Sequence, residues 1–296
     1  MEMVPTKGIK NSKIFDNKIT SELSNVDVQI DIVHEFFDGK YTVDEVKDYL
    51  TIKDMIEDPN FEEDRPIDRP TLKLAQEFRD LKNKDYLSVQ EWYRETPYYL
   101  FDLLKWNVTE MFAMKFEHID NLIKKYNISS IIDFGGGIGI PSMMLIEASG
   151  IQMDKLVYVD LKGSPTFNFA KFLFDRFEFD IKMMDPEELY KSDIRTDACL
   201  ALDVFEHIVN IEYHLSRIST KSKYFINFNE FSTDIVQPQH IHTFGHFGFA
   251  QFMLQYHYLP VEWPTIFQIK SPQWKITEEN KIVGPVWDDV SWEVNI

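Results

Sequence analysis

The sequence predicts an α/β fold: a doubly wound, mostly parallel seven-stranded sheet with an antiparallel edge, preceded by a helical N-terminal cap. Three observations carry this. From about residue 130, short apolar strands alternate with helical segments, the pattern of a parallel sheet covered on both faces. The first of those strands runs into a glycine-rich turn, Gly135-Gly136-Gly137-Ile138-Gly139. From about Asp27 to Tyr126 the hydrophobic periodicity is helical. Two regions are therefore expected: 1–127 as a helical cap that covers a substrate, and 128–296 as the sheet domain.

The cap is read from its helix signals. Thr42 and Glu45 have capping-box spacing ahead of Val46, Tyr49 and Leu50. Pro66 and Pro70 bracket an expected turn, and Leu72, Leu74, Phe78 and Leu81 follow on one helical face. Ser88 and Glu91 form a second expected capping box, opening a segment rich in aromatics. Residues 111–125 read as one more amphipathic helix, and the polar residues before about Asp27 as loosely held.

In the sheet domain, strands are expected at 131–134, 155–160, 179–184, 198–202 and 224–229. Helices are expected at 141–148, 165–177 and 204–218, with an edge pair at 265–270 and 274–283.

Composition sets limits. Of 296 residues, 44% are hydrophobic, enough to build a sizeable core. The 49 acidic residues outnumber 31 basic ones, for a net charge of -18. Such a surface repels phosphate backbones and anionic membranes, so neither is an expected partner. Cys199 stands alone, which leaves no internal disulfide and no cysteine-based zinc site. The first residues carry no apolar leader, and the charge-free run 235–261 holds four histidines and two prolines, unlike a membrane span. A cytoplasmic protein acting on a small molecule is the expectation. The Leu- and aromatic-rich cap suits a homodimer or an internal cover equally well.

The glycine turn sits where open α/β sheets bind ligands. A phosphate loop of the Gly-Lys-Ser/Thr type is excluded, because Ile140-Pro141-Ser142 follows with no lysine. The dinucleotide spacing also fails: counted from Gly135 its last glycine falls on Ile140, and counted from Gly137 on Ser142. The pattern acidic-x-Gly-x-Gly-x-Gly fits through Asp133, Gly135, Gly137 and Gly139. Asp160 ends the second strand, placed to accept hydrogen bonds from two ribose hydroxyls. Asp185-Pro186 follows the third, and Asp203-Val204-Phe205-Glu206-His207 the fourth.

With these motifs in this order, the chain resembles the class I, Rossmann-like methyltransferases that use S-adenosylmethionine. The likeness covers about 130–261 and includes Pro238-x-His240 with Phe244, ahead of an apolar helix ending at Tyr258-Leu259-Pro260. It implies cofactor contacts from Asp133, Phe134, Gly135, Gly136, Gly137, Gly139, Asp160, Leu161, Asp185, Pro186, Asp203 and Val204. Within it, Asp185 meets the adenine amine or simply caps a helix, and Asp203 faces the methionine end. The reaction it implies is methyl transfer to an oxygen, nitrogen or carbon nucleophile, with S-adenosylhomocysteine as product.

His207, His240 and His242 are the candidate general bases, since imidazole titrates near neutral pH. His240, His242 and His246 also suggest a metal cluster, although no partner carboxylate is evident beside them in the sequence. Trp92, Tyr93 and Arg94 are the candidate substrate contacts, with Arg94 able to meet a carboxylate or merely Glu91 or Glu95. Three other readings stay open: an NAD-dependent oxidoreductase, a non-catalytic binder of the same cofactor, and a metal enzyme built on the histidines.

Overall fold

The computed structural model describes residues 18–56, 65–229, 231, 237–242, 245–255, 258–262, 266–269, 275–276 and 282–283. The cap begins with α1 (Lys18–Leu23), α2 (Val26–Phe36) and α3 (Val43–Thr51). The capping box of α3 closes in both directions: Thr42 accepts from the Glu45 amide, and the Glu45 carboxylate accepts from the Thr42 amide. Ile19 and Leu23 are fully buried, so α1 is docked rather than loosely held. Residues 1–17 lie outside the described residues.

Next come β1 (Lys53–Ile56) and β2 (Arg65–Asp68), an antiparallel ribbon with Lys53 opposite Asp68. Pro66 thus lies in a strand, where the expected turn was placed. A two-stranded ribbon is all edge, and edges tolerate proline. Pro70 opens α4 (Arg69–Asp80), where its missing N–H costs no hydrogen bond. Then follow α5 (Tyr86–Glu95), α6 (Tyr98–Trp106) and α7 (Glu110–Lys125). The cap of α5 is Asp85, which accepts from the Ser88 amide at 2.9 Å, and not the expected Ser88–Glu91 box.

The sheet domain runs β3 (Ile131–Phe134), α8 (Ile140–Glu147), β4 (Leu156–Val159), α9 (Pro165–Arg176), β5 (Lys182–Met184) and α10 (Pro186–Lys191). It continues with β6 (Thr196–Leu202), α11 (Ile211–Ile218), β7 (Ser222–Phe228), α12 (Gly245–Gln255), β8 (Tyr258–Glu262) and β9 (Ile266–Ile269). Strand order is β5-β4-β3-β6-β7-β9-β8. The first five are parallel; β9 is antiparallel to β7, and β8 to β9. From β3 the chain steps to β4 and β5 on one side, then to β6 and β7 on the other. That reversal creates the crevice at the carboxyl ends of the strands where α/β sheets take ligands.

Three expectations need correction. Residues 204–210 form turns, and α11 starts only at Ile211. The stretch Tyr258-Leu259-Pro260 is strand β8, not the end of a helix. Of the stretch 274–283, the described residues form β10 (Lys275–Ile276) and β11 (Ile282–Val283), which among the described residues pair with each other and not with the main sheet.

The cap and the sheet share one core. A single apolar cluster runs from Ile19, Ile32 and Phe101 in the cap to Ile131, Leu156 and Leu200 in the strands. The boundary near residue 127 is therefore a change of secondary structure, with no gap in packing. The other sheet face packs Ile132, Phe134, Val159 and Phe225 against α11 and α12. A third, smaller cluster joins α4 and α5 through Leu74, Phe78, Val89 and Trp92.

Candidate functional site

A cleft lies beyond the carboxyl ends of β3, β4 and β6, with α5 along one wall. Its cavity volume is about 110 Å³, and it is open to solvent on one side. Phe134, Gly135, Asp160 and Leu161 line one side; Asp203, Val204 and His207 line the other. Tyr86, Val89, Gln90 and Tyr93 come from α5, and Pro186 and His214 complete the wall.

The glycine turn is shaped by the protein's own packing. Gly139 has φ +81° and caps α8, and a Cβ there would stand 2.7 Å from the Phe174 ring. A Cβ on Gly135 would stand 2.5 Å from Val204 across the cleft. Asp133 is turned away from the cleft. It is buried behind the turn and accepts a 2.6 Å hydrogen bond from Ser142 Oγ. Burial pushes its carboxyl up to about 7, the Ser142 bond pulls it down, and the charge of Asp160 adds to the rise. Asp133 thus braces the turn and is not among the residues that line the cleft. Gly136, Gly137 and Gly139 also lie behind the lining.

Asp160 is in the lining itself. Its Oδ2 accepts from the Gly137 amide at 2.7 Å and its Oδ1 from the Leu161 amide at 2.6 Å. The Tyr158 hydroxyl donates to the Gly137 carbonyl at 2.6 Å and lies 3.5 Å from Asp160 Oδ2. Burial raises the Asp160 carboxyl to about 6, against the pull of the two amides. A carboxylate has about four lone-pair sites, so two remain for donors entering the cleft. The residues present thus fit a ribose diol.

Asp185 is the N-cap of α10, with a closed capping box to Glu188. Its Oδ2 also faces the Lys162 amide at 3.3 Å and Arg94 at 3.9 Å. The partner of Arg94 is therefore Asp185, not Glu91 or Glu95, and neither side chain lines the cleft. Pro186 does.

Asp203 is held in the left-handed region, at φ +53°. Lys115 donates to both of its oxygens at 2.9 Å, and the Trp106 indole donates at 3.2 Å. A cap helix thus supplies the counter-charge for an acid at the end of β6. The next turn is fixed by Asn229, whose Oδ1 accepts from the Val204 amide at 2.7 Å and the Phe205 amide at 2.8 Å. Its own amide donates to Asn227.

The histidines divide. His207 lines the cleft, and its ring meets those of Tyr93 and Tyr99 at 6.0 Å and His240 at 4.6 Å. Burial, then the neighbouring His240, holds its pKa well below the usual histidine value, so the ring is neutral at pH 7. His240 is buried beside it. His242 instead turns to the Ile208 carbonyl, to which Nε2 donates at 2.6 Å. The side chain of His246 lies outside the described residues. The carboxylate missing from the sequence reading is Glu206: one ligand atom each from Glu206, His207 and His240 lie within 4.8 Å of one another.

Of the substrate candidates, only Tyr93 lines the cleft. Trp92 packs on Phe78 in the small α4–α5 cluster and donates to Glu77 at 3.2 Å. Sequence reasoning missed Lys115, Trp106, Asn229, Tyr86 and His214. The rings of the last two are linked, with Tyr86 at 3.3 Å from His214 Nε2 and Tyr190 at 2.6 Å from Nδ1. The Asn227–Asn229 pair at the end of β7 was the one local signal: two amides closing an apolar strand.

No family model and no curated protein matches the chain. Among solved structures, it is similar to the methyltransferase domain of bacterial CtHen1-CN, at 15% identity over 52% of this chain and 97% of that one, TM-score 0.40. It is similar to magnesium protoporphyrin IX methyltransferase (ChlM) from Synechocystis PCC 6803 with bound SAH, at 13% identity over 48% and 70%, TM-score 0.39. The N-terminal domain of EvdMO1, in the presence of SAH and D-fucose, is 15% identical over 38% of this chain, TM-score 0.32, and is spanned over only 48% of its length. At this level the likeness decides nothing about this chain, and what those proteins bind stays with them.

Proposed function

We propose that this chain is an S-adenosylmethionine-dependent methyltransferase acting on a small-molecule nucleophile. The observation that carries the reading is the placement of Asp160. Its carboxylate lies at the end of the second parallel strand, lines the cleft, and accepts from the Gly137 amide on the glycine turn and from the Leu161 amide beside it. Asp160 would hold the ribose hydroxyls, and Leu161, Pro186 and Val89 would form the apolar slot for the base. When bound, the cofactor supplies a sulfonium methyl group open to attack.

The chain's own residues then account for orientation and solvent exclusion. Tyr93, Tyr99 and His207 form part of the cleft wall, where an acceptor would be held in line. Fixing two reactants in such a geometry is worth up to roughly 7–11 kcal/mol of barrier in the best intramolecular cases. A neutral His207 can accept a proton from a hydroxyl acceptor. The acidic surface and the mostly apolar walls of the cleft favour a small neutral or cationic acceptor over nucleic acid. The pairing of Lys115 with Asp203 leaves that end of the cleft near neutrality.

Calorimetric titration with S-adenosylhomocysteine, with NAD as control, tests this. Micromolar binding to the wild type, lost in Asp160→Ala and absent for NAD, is the expected result. A folded wild type that binds neither sinks the proposal, and NAD binding alone redirects it to hydride transfer.

A further inference from the structure

We propose that Glu206, His207 and His240 form a site for a first-row divalent metal ion in the wall of the cleft. One ligand atom from each of the three residues falls within 4.8 Å of the other two. Two donor atoms held ~2.1 Å from a tetrahedral ion stand about 3.4 Å apart, so small side-chain rotations bring the set together. Two imidazoles and one carboxylate suit zinc, iron, cobalt or manganese better than calcium or magnesium, which favour all-oxygen shells. The set carries one negative charge against the ion's two positive ones.

The surroundings support the same conclusion independently. His207 Nδ1 lies 3.2 Å from the Gln239 carbonyl. A carbonyl only accepts, so Nδ1 carries the proton and Nε2 keeps its lone pair. Metal-binding histidines are oriented in this way by a second hydrogen bond. The two loops that hold the set, after β6 and after β7, are tied together by the Ile241 amide, which donates to the Glu206 carbonyl at 2.9 Å. His242 adds a second tie on Ile208. The backbone carrying the ligands is therefore in register before any ion arrives. The Tyr93 hydroxyl, on a ring 6.0 Å from that of His207, and Oε1 of Gln239, the residue before His240, are buried with no hydrogen-bond partner among the described residues. An ion-bound water would give the hydroxyl one.

Three protein ligands leave a coordination position for a further oxygen. Because His207 lines the cleft, that oxygen can belong to an acceptor hydroxyl, whose pKa the ion would lower; the ion then replaces His207 as the means of deprotonation, since it takes the Nε2 lone pair. This last step rests on the methyl-transfer reading; the metal site itself does not.

The test uses full-length protein freed of any affinity tag. Metal content is measured as purified, and Co²⁺ is titrated with visible absorbance and calorimetry as readouts. One Co²⁺ per chain is expected, weakened about 100-fold or more in His207→Gln and His240→Gln and nearly unchanged in His34→Ala, on α2 outside the cleft lining. X-ray absorption on the wild-type cobalt protein needs no variant: two imidazoles with oxygen ligands support the site. A shell without imidazole, no stoichiometric Co²⁺, or ligand variants that bind like the wild type overturn it. S-adenosylhomocysteine is titrated into the same samples. Its binding without Co²⁺ binding removes the metal site and keeps the methyltransferase; Co²⁺ binding without it does the reverse.

Discussion

The two sides of the cleft are built differently. On the glycine side the polar groups are engaged within the protein: Asp133 with Ser142, Asp160 with two amides, Tyr158 with the Gly137 carbonyl. On the histidine side, polar capacity is left over, with the Tyr93 hydroxyl and Gln239 Oε1 buried and unpartnered. The glycine side is a preformed cradle whose shape needs no ligand. The histidine side carries a desolvation cost that a ligand can relieve. One side is therefore set by packing, and its variants should lose stability or cofactor. The other is set by polar chemistry, and its variants should change what it accepts.

The largest effect is expected on the packed side. Gly139→Ala forces a side chain to φ +81° with its Cβ 2.7 Å from the Phe174 ring. It should destabilise the fold by about 3–5 kcal/mol, read from denaturant unfolding. A loss under 1 kcal/mol would mean that the turn is not the rigid cradle described.

Asp160→Ala comes next. Losing two charge-assisted hydrogen bonds to a ribose should weaken S-adenosylhomocysteine about 30- to 100-fold, or about 2–3 kcal/mol. If affinity holds, the cradle serves the fold alone.

A pH series sharpens the same contrast. The Asp160 carboxyl sits at about 6, and only its ionised form accepts two hydroxyls. Affinity should be level above that pH and fall roughly tenfold per unit below it. Stability of the free protein should respond in the opposite sense. Because this folded-state pKa lies above the unfolded value of 3.8, the native chain holds the proton more tightly and stability drops as pH rises from about 4 through 6. Asp160→Asn should flatten the affinity profile.

The smallest effect belongs to the polar side. Tyr93→Phe removes a buried hydroxyl without a partner and should stabilise the metal-free protein by about 1 kcal/mol. Destabilisation in a thermal melt would show that the hydroxyl has a partner, and the contrast between the two sides would fail.

Much of the sheet was legible because its signals are local. Apolar runs ending in Asp133-Phe134-Gly135 or at Asp160 mark strand ends directly. What sequence reasoning missed depends on distant partners. Lys115 meets Asp203 across 88 positions, and Glu206 meets His240 only because β6 and β7 are neighbours in the sheet. The helix expected from Val204 fails for a related reason. Asn229, 25 positions on, captures the amides that a helix start would present, while Asp203 leaves the helical region altogether. Trp92 and Tyr93 show the limit of periodicity: it predicted a helix, but not which of two adjacent rings faces the cleft.

The small α4–α5 cluster has a consequence for cooperativity. Most of the cap is part of the main core and should exchange its amide hydrogens only on global unfolding. The helix that carries Tyr86 and Tyr93 instead packs Val89 and Trp92 against Leu74 and Phe78 of α4 in a small separate cluster, so it can detach at a lower free energy. Hydrogen exchange should find α5 among the first ordered segments to open. The wall that would meet the acceptor is then also the least costly door into the cleft.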